Sequence, residues 1–482
     1  MEAAISAVAT EIFSRMVSFL TKRYMDKTEI DEKLDRMEQL LLRIHAVIHE
    51  AEGRYITNPI MLKQLKCLVE SMYRGYHILD VSRYKPFFAR IANEEVNSIS
   101  AQSASLSPIP FKRSCTLSRT ATSFSGSNDL QSVLENLEAA IANMNEFVVL
   151  LGGCERCRRP YDTYLYTDNF MFGRHVEKQH IINILLQDPG EHGTPMVLPI
   201  IGGFRVGKKT LVSHVCKNER IKSHFSSIVF INGDSICRMD EEKFRNGRML
   251  AVVEFVTDVD DDDWEKFYST ARHKAIDGSK VIIISRIENL ARFGTVKTVF
   301  LNSLTHEEYR YLFKMLAFGS TDEKDYPHLA AIANEIAIQL GGSLITANVI
   351  ADLLRRNHDF QFWLCILQRF KRMVHKNLSM YGEHPKDILD NERPIDITTF
   401  NSCSSLRMMP PRVERDGDSS ERKLDHVPFG DLITGSISLP NNQFVLVAWE
   451  SRLPPYTKLV ADVTSYEKHG SSISPKKRRS IV

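Results

Sequence analysis

No apolar run in this chain approaches the roughly 20 residues that a membrane-spanning helix needs, so no such helix is expected. Net charge is almost absent too: 62 Lys and Arg stand against 60 Asp and Glu, leaving +2 with histidine neutral. Overall electrostatics therefore offer no strong case for nucleic acid or an anionic membrane surface as partner. The opening MEAAISAVATEIF carries Glu2 and Glu11 and no small-residue cleavage site, so no secretory leader is expected. The eight cysteines are scattered. Cys154 and Cys157 form a CxxC, but with no second pair or histidine cluster beside it they read as free thiols in a reducing compartment rather than a zinc site or disulfide framework. What is present is ordinary: 43% hydrophobic and 25% charged residues over 482 positions, enough for about two to four globular domains.

The first part of the chain is helical in pattern. Leu34, Met37, Leu41, Ile44 and Ile48 recur at three and four residues between Asp35, Arg36, Glu38 and Arg43. Pro59 fits the first turn of a third helix carrying Leu62, Leu65, Leu68 and Met72, and MYRGYHILDVSRY supplies a fourth with Tyr73, Tyr76, Ile78 and Leu79. Short amphipathic helices bury their stripes only against one another, so an N-terminal four-helix bundle is expected over 1–92. Residues 93–128 turn Ser- and Thr-rich, with too little apolar surface to offset ordering entropy, and read as a flexible linker. A helix and connector follow over 129–168.

Then the pattern changes. VLPII (197–201), SIVFI (227–231), MLAVVEF (249–255) and KVIIIS (280–285) are short continuous Val/Ile-rich runs separated by helical segments, the pattern of strands buried on both faces of a parallel sheet. A P-loop NTPase-like parallel α/β domain is expected over 169–303, a small helical subdomain over 304–388, and a loop/β-rich segment with a basic tail over 389–482, its strands being LITGSISL, FVLVAW and KLVADV. The whole is a multidomain α plus α/β chain.

IIGGFRVGKKTLV places Gly202, Gly207 and Lys208 at phosphate-loop spacing, after an expected strand and before an expected helix. In such loops the glycines let backbone N–H groups curl around phosphate, the lysine reaches the terminal phosphates and a hydroxyl holds magnesium. Here Lys209 occupies the hydroxyl position, and Thr210 comes one residue late. An ammonium there repels magnesium. Phe204 and Arg205 fall at variable interior positions and would cost about 1–2 kcal/mol only where the backbone is left-handed. MLAVVEF offers Glu254 and then Phe255, so one carboxylate remains and a second is lost. Asp258, in DVDDDDW, lies too late to replace it, and that run reads as solvated surface. Hydrolysis needs positioned metal and water together; no catalytic or metal-ligating residue is assigned, and competent ATPase activity is not expected.

The ordered blocks resemble the plant coiled-coil NB-ARC disease-resistance family, the nucleotide-binding leucine-rich-repeat receptors. FGRHVEK resembles the entry motif near the adenine, with Phe172, Gly173 and Arg174 matching; GSKVIIISR resembles the third block, with Arg286 at the arginine that senses the terminal phosphate. LTHEEYRYLFKMLAF and LGGSLITA resemble the succeeding helical subdomain, and the first helices resemble the family's N-terminal domain. The matches cover roughly 1–356. Departures accompany them. Tyr76 and His77 replace two acids of the N-terminal acidic motif, leaving Asp80; Ser343 replaces the proline that contacts nucleotide; NHD (357–359) comes far too early for the family's Met-His-Asp motif; and no leucine-rich repeat is visible at any period.

The resemblance implies ADP or ATP as cofactor, bound weakly with magnesium in doubt, through Gly202, Gly207, Lys208, Lys209, Thr210, Phe172, Gly173, Arg174 and Arg286. It implies a signalling or regulatory role in plant defence, with other immune receptors or signalling proteins, or a second copy, as partners of the N-terminal helices. A nucleotide-free scaffold or decoy pairing with full-length receptors stands as the alternative. A cytoplasmic location is expected. Lys476, Lys477, Arg478 and Arg479 are the feature favouring the nucleus, with a solvated tail the commoner explanation for such a run.

Overall fold

The computed structural model describes residues 29–102, 126–156, 171–187, 195–233, 236, 247–274, 278–400, 405–414, 424–437, 439–440, 443–450 and 458–466. They fall into two compact units, Met1–Leu312 and Phe313–Val482.

In the first unit, helix α1 (29–52) carries the expected stripe inward: Met37, Leu41 and Ile44 are fully buried. Helix α2 (Pro59–Gln102) starts where Asn58 caps the Ile60 amide at 2.9 Å. It absorbs both later helical segments of the sequence pattern into one continuous helix. The Tyr73–Tyr84 stretch is thus not a separate helix. The same helix also continues past 93, where a linker is expected; 103–125 lie outside the described residues, as do 1–28. Helices α3 (Gly126–Ala142) and α4 (Met144–Gly152) complete the same core through Leu130, Leu137 and Phe147. Gly75 lets three helices meet: a Cβ there would lie 2.7 Å from Leu41 Cδ2 and 3.2 Å from Leu137 Cδ1.

Helix α5 (His175–Leu186) leads into a five-stranded parallel sheet of order β2-β3-β4-β1-β5. Its strands are β1 (Met196–Gly202), β2 (Ser227–Asn232), β3 (Met249–Phe255), β4 (Lys280–Ser285) and β5 (Val299–Leu301). Helices α6 (Lys208–Cys216) and α7 (Glu219–His224) follow β1, and α8 (Asp261–Lys274) follows β3. One face buries Leu198, Ile200, Val252, Ile282 and Ile284 against α5 and α6 residues; the other buries Val197, Val253, Val281 and Ile283 with Trp264 and Phe267 of α8. Double-sided burial explains the apolar runs of β1, β3 and β4, whereas β2 is an edge strand with Phe230 exposed. Lys280 is the exception at the start of β4. Its buried ammonium donates to the carbonyls of Leu185 at 2.9 Å and Gln187, closing the negative end of α5. Chain order reverses around β1, which lies between β4 and β5, so the crevice at the carboxyl ends of the strands opens beside it.

Helix α9 (His306–Phe318) runs on from the first unit into the second. The second unit continues with α10 (Pro327–Gln339), α11 (Leu344–Arg356), α12 (Phe360–Tyr381) and α13 (Pro385–Asp390). It also holds a six-stranded sheet of order β6-β7-β11-β10-β9, with β8 paired to β11. Those strands are β6 (Ile395–Asp396), β7 (Ser405–Met408), β8 (Arg412–Glu414), β9 (His426–Pro428), β10 (Gln443–Glu450) and β11 (Lys458–Tyr466). FVLVAW and KLVADV form the antiparallel β10–β11 pair. LITGSISL does not form a strand. Its first residues close helix α14 (Phe429–Thr434), which buries Leu432 and Ile433 and ends on Gly435 at φ 73, the left-handed cap that suits glycine.

Candidate functional site

The loop between β1 and α6 is held by close backbone contacts. Gly202 pairs with Leu301 of β5, and a Cβ on it would lie 2.4 Å from the Leu301 carbonyl oxygen. Gly207 sits at φ 94, just before the helix. Arg205 is left-handed as well, at φ 53, so the condition under which a side chain is costly is met at Arg205. The Arg205 guanidinium lies 4.3 Å from the centroid of the Phe204 ring, and that of Arg286, from the end of β4, 5.8 Å from the same ring. These contacts bring Arg286 to the loop.

Lys208 Nζ donates to the carbonyls of Gly202 at 2.7 Å and Gly203 at 2.6 Å. Burial pulls its pKa down to about 8; Glu254 opposes that fall, while Arg286 and Lys209 add to it. The four charged groups therefore share one electrostatic site. Lys209 Nζ lies 2.7 Å from Glu254 Oε2, at the end of β3. With side-chain exposures of 62% and 36%, that pair contributes about 0–1 kcal/mol to stability, and its importance is local. Thr210 is exposed, one residue further along α6.

The loop fits a phosphate and the surroundings do not fit magnesium. A glycine-bounded strand-to-helix turn, a helix N-terminus and cations from Lys208 and Arg286 are what a phosphate group requires. Magnesium requires oxygen ligands in near-octahedral array. The hydroxyl position is an ammonium, which donates and cannot ligate. A divalent ion and an ammonium about 4 Å apart repel by roughly 8 kcal/mol at an effective dielectric near 20. The second acid position, Phe255, is a core residue, its ring 6.2 Å from that of Trp264. Asp258 is engaged elsewhere: it accepts from Asn289 at 3.0 Å and Arg292 at 3.2 Å, and those bonds, Asn289's first, hold its carboxyl below its ordinary pKa. Among the described residues no group of three or more His, Cys, Asp or Glu side chains is arranged to hold a metal.

The entry motif splits its contacts. Met171 packs into the sheet core and its Cε comes within 3.8 Å of the Cβ position of Gly207. Phe172, expected near the adenine, packs with the helical bundle in an aromatic cluster, 5.4 Å from Tyr73 and 6.1 Å from Tyr311. Gly173, at φ 64, makes the turn between them. Arg174 is buried and donates to the Asn302 carbonyl, with Glu177 3.7 Å away; burial lowers its pKa. In the bundle, Tyr76 lies 5.1 Å from Tyr311, and Arg310 is 3.1 Å from His77 Nε2, so the two replaced acids make aromatic and imidazole contacts to α9. Gly202, Gly207, Lys208, Lys209 and Arg286 gather at the loop; Phe172 and Arg174 make structural contacts beside it. Sequence reasoning missed Met171, the Lys209–Glu254 pair and the Phe204–Arg286 contact. Their one signal was that loop and strand ends of a parallel sheet converge on the same crevice.

In the second unit, the two motifs that depart from the family's pattern are helix caps. Ser343 caps α11, accepting from the Thr346 amide. Asp359 of NHD caps α12 through the Phe362 amide at 2.7 Å, while the Asn357 carbonyl accepts from the Trp363 indole. Cys154 is a free thiol whose Sγ faces the Leu150 carbonyl, and Cys157 lies outside the described residues. No described helix is long and apolar enough to cross a membrane.

Fold and loop together define a P-loop-type α/β protein joined to a helical bundle. No protein-family model matches the chain. The disease resistance protein RGA2 of Solanum bulbocastanum is 24% identical over 383 residues, covering 73% of this chain and 37% of its own length. The putative disease resistance protein RGA1 of the same organism is 23% identical over 381 residues with the same coverage. A putative disease resistance RPP13-like protein 1 of Arabidopsis thaliana is 26% identical over 236 residues, 48% of this chain and 21% of its own. The chain is thus similar to plant disease resistance proteins. It spans 37% of the length of the Solanum proteins. Likeness to solved structures is slight. Domain III of the Thermotoga maritima replication initiation protein DnaA gives a TM-score of 0.29 at 14% identity, covering 44% of this chain and 99% of that one. Drosophila ORC bound to DNA gives 0.28 at 10%, covering 47% and 79%.

Proposed function

We propose that this chain is a regulatory or signalling component of plant immunity whose NB-ARC-like domain binds ADP or ATP without hydrolysing it efficiently. The observation that carries the reading is the loop itself: Gly202 against the β5 backbone, left-handed Gly207, and Lys208 and Arg286 at one crevice. Gly202, Gly207 and Lys208 hold the phosphates, and Arg286 meets the terminal one. The weak-hydrolysis part rests on Phe255 being committed to the core and on Glu254 being paired to Lys209, so that neither position of the acidic strand offers a free carboxylate to orient an attacking water. Kinship with disease resistance proteins supports the immune role. The N-terminal helices supply the surface for related receptors or for a second copy.

The test is the nucleotide content of the purified chain, identified by mass spectrometry, with a parallel turnover assay. Co-purifying ADP or ATP, lost in Lys208→Ala and accompanied by no turnover above background, is the expected result. Nucleotide-free protein that binds none on titration would refute the reading, and turnover abolished by Lys208→Ala would refute its non-hydrolytic part.

A further inference from the structure

We infer that Lys209 stands in for magnesium, so that this site takes the phosphates of ADP or ATP as free anions and requires no divalent cation. The inference deepens the nucleotide reading above and rests on it. Its basis is a disagreement between what a phosphate loop ordinarily recruits and what this one offers. Magnesium in such loops is held by the hydroxyl after the lysine and organised by carboxylates on the neighbouring strand. Here the hydroxyl position carries Lys209, and the carboxylate at the end of β3, Glu254, is bound to that ammonium at 2.7 Å. The following position, Phe255, is buried. The nearest acidic run is spoken for by Arg292, whose guanidinium meets Asp258 at 3.2 Å and Asp261 at 3.0 Å.

The replacement is consistent in charge and in donor chemistry. A free nucleotide carries more negative charge on its phosphates than its magnesium complex does. Lys208, Lys209 and Arg286 surround the loop against the carboxylate of Glu254, a cationic excess suited to the uncomplexed anion. Burial is the main cause of the depressed pKa of Lys208, and Arg286 and Lys209 add to it. An ammonium has three donors, so one bond to Glu254 leaves two for phosphate oxygens. Glu254 thus changes role. Instead of organising metal and water, it orients the lysine that replaces the metal, and the same pairing withholds it from water activation.

Fluorescence titration of the full chain with N-methylanthraniloyl-ADP, in excess magnesium and in excess EDTA, tests this directly. The expected dissociation constants agree within about twofold in the two buffers. Lys209→Thr restores the hydroxyl and is expected to bind about tenfold more weakly in EDTA, with magnesium recovering the loss. Lys209→Arg keeps the charge and is expected to remain indifferent to magnesium, which separates loss of the cation from a folding defect. Wild-type binding that weakens about tenfold or more in EDTA would overturn the inference while leaving the nucleotide reading intact. A Lys209→Thr variant matching wild type in both buffers would also overturn it. Absence of saturable binding in either buffer would refute the nucleotide reading, and this inference with it.

Discussion

Replacing Arg205 separates backbone strain from side-chain chemistry in the loop. The residue stands at φ 53, where a side chain costs about 1–2 kcal/mol relative to glycine. Glycine gives back roughly 0.5–1 kcal/mol through its greater freedom in the unfolded chain. Arg205→Gly therefore gains about 0.5–1 kcal/mol over Arg205→Ala, which keeps the strained backbone. Both variants lose the guanidinium–ring contact with Phe204, about 0.5–1 kcal/mol for an accessible pair. The two terms nearly cancel in Arg205→Gly, which is expected close to wild type, while Arg205→Ala falls below it. Hydrogen exchange read on peptides spanning β1 and α6 is a suitable assay, because several domains in one chain make a single unfolding midpoint ill-defined. Amide protection in β1 is expected to be about two- to fivefold lower in Arg205→Ala than in Arg205→Gly. Equal protection in the two variants, or the reverse order, would refute the strain assigned to this position.

Three more outcomes are expected. Because the pKa of Lys208 is lowered to about 8, the folded chain binds fewer protons than the unfolded one between that value and the ordinary 10.5, so this group's contribution to stability rises with pH across that window. Nucleotide affinity moves the other way: a bound anion favours the ammonium, so affinity holds below about pH 8 and then declines by at most about tenfold per pH unit; a flat profile into the alkaline range would exclude Lys208 as a phosphate ligand. Lys280→Met strands the carbonyls at the end of α5 and is expected to lose about 2–3 kcal/mol, read as at least about 30-fold faster exchange in the last turn of that helix. Asp359→Ala removes the cap of α12, costing about 1 kcal/mol in its first turn with no change in nucleotide affinity, and a loss of affinity would contradict the capping role.

The elements legible in the sequence are those whose physics is local or whose burial is complete. VLPII, MLAVVEF and KVIIIS are legible because burial on both faces leaves few polar positions; SIVFI, at the sheet edge with Phe230 59% exposed, is legible only as a β-branched run, and β5, three residues long, is not legible. The α1 stripe is legible because it repeats over several turns. LITGSISL misleads because Leu432 and Ile433 satisfy their burial equally well on a short helix, and a left-handed Gly435 decides in its favour. Tyr76 and His77 read only as lost acids until α9 brings Tyr311 and Arg310 against them.

The phosphate loop divides along the same line. Spacing within one turn of chain determines that Gly202, Gly207 and Lys208 form a loop, and that a lysine stands where a hydroxyl belongs. The sequence by itself also determines that one carboxylate of the acidic strand is gone. What Lys209 does was decided by tertiary structure, because its partner Glu254 reaches the crevice only when the parallel sheet brings the carboxyl ends of β1 and β3 to the same edge, with β4 between them. The backbone of Arg205 and the approach of Arg286 to Phe204 were likewise decided there. Electrostatic pairing and a residue's backbone dihedral both depend on neighbours far away in the chain, and residue order alone does not contain them.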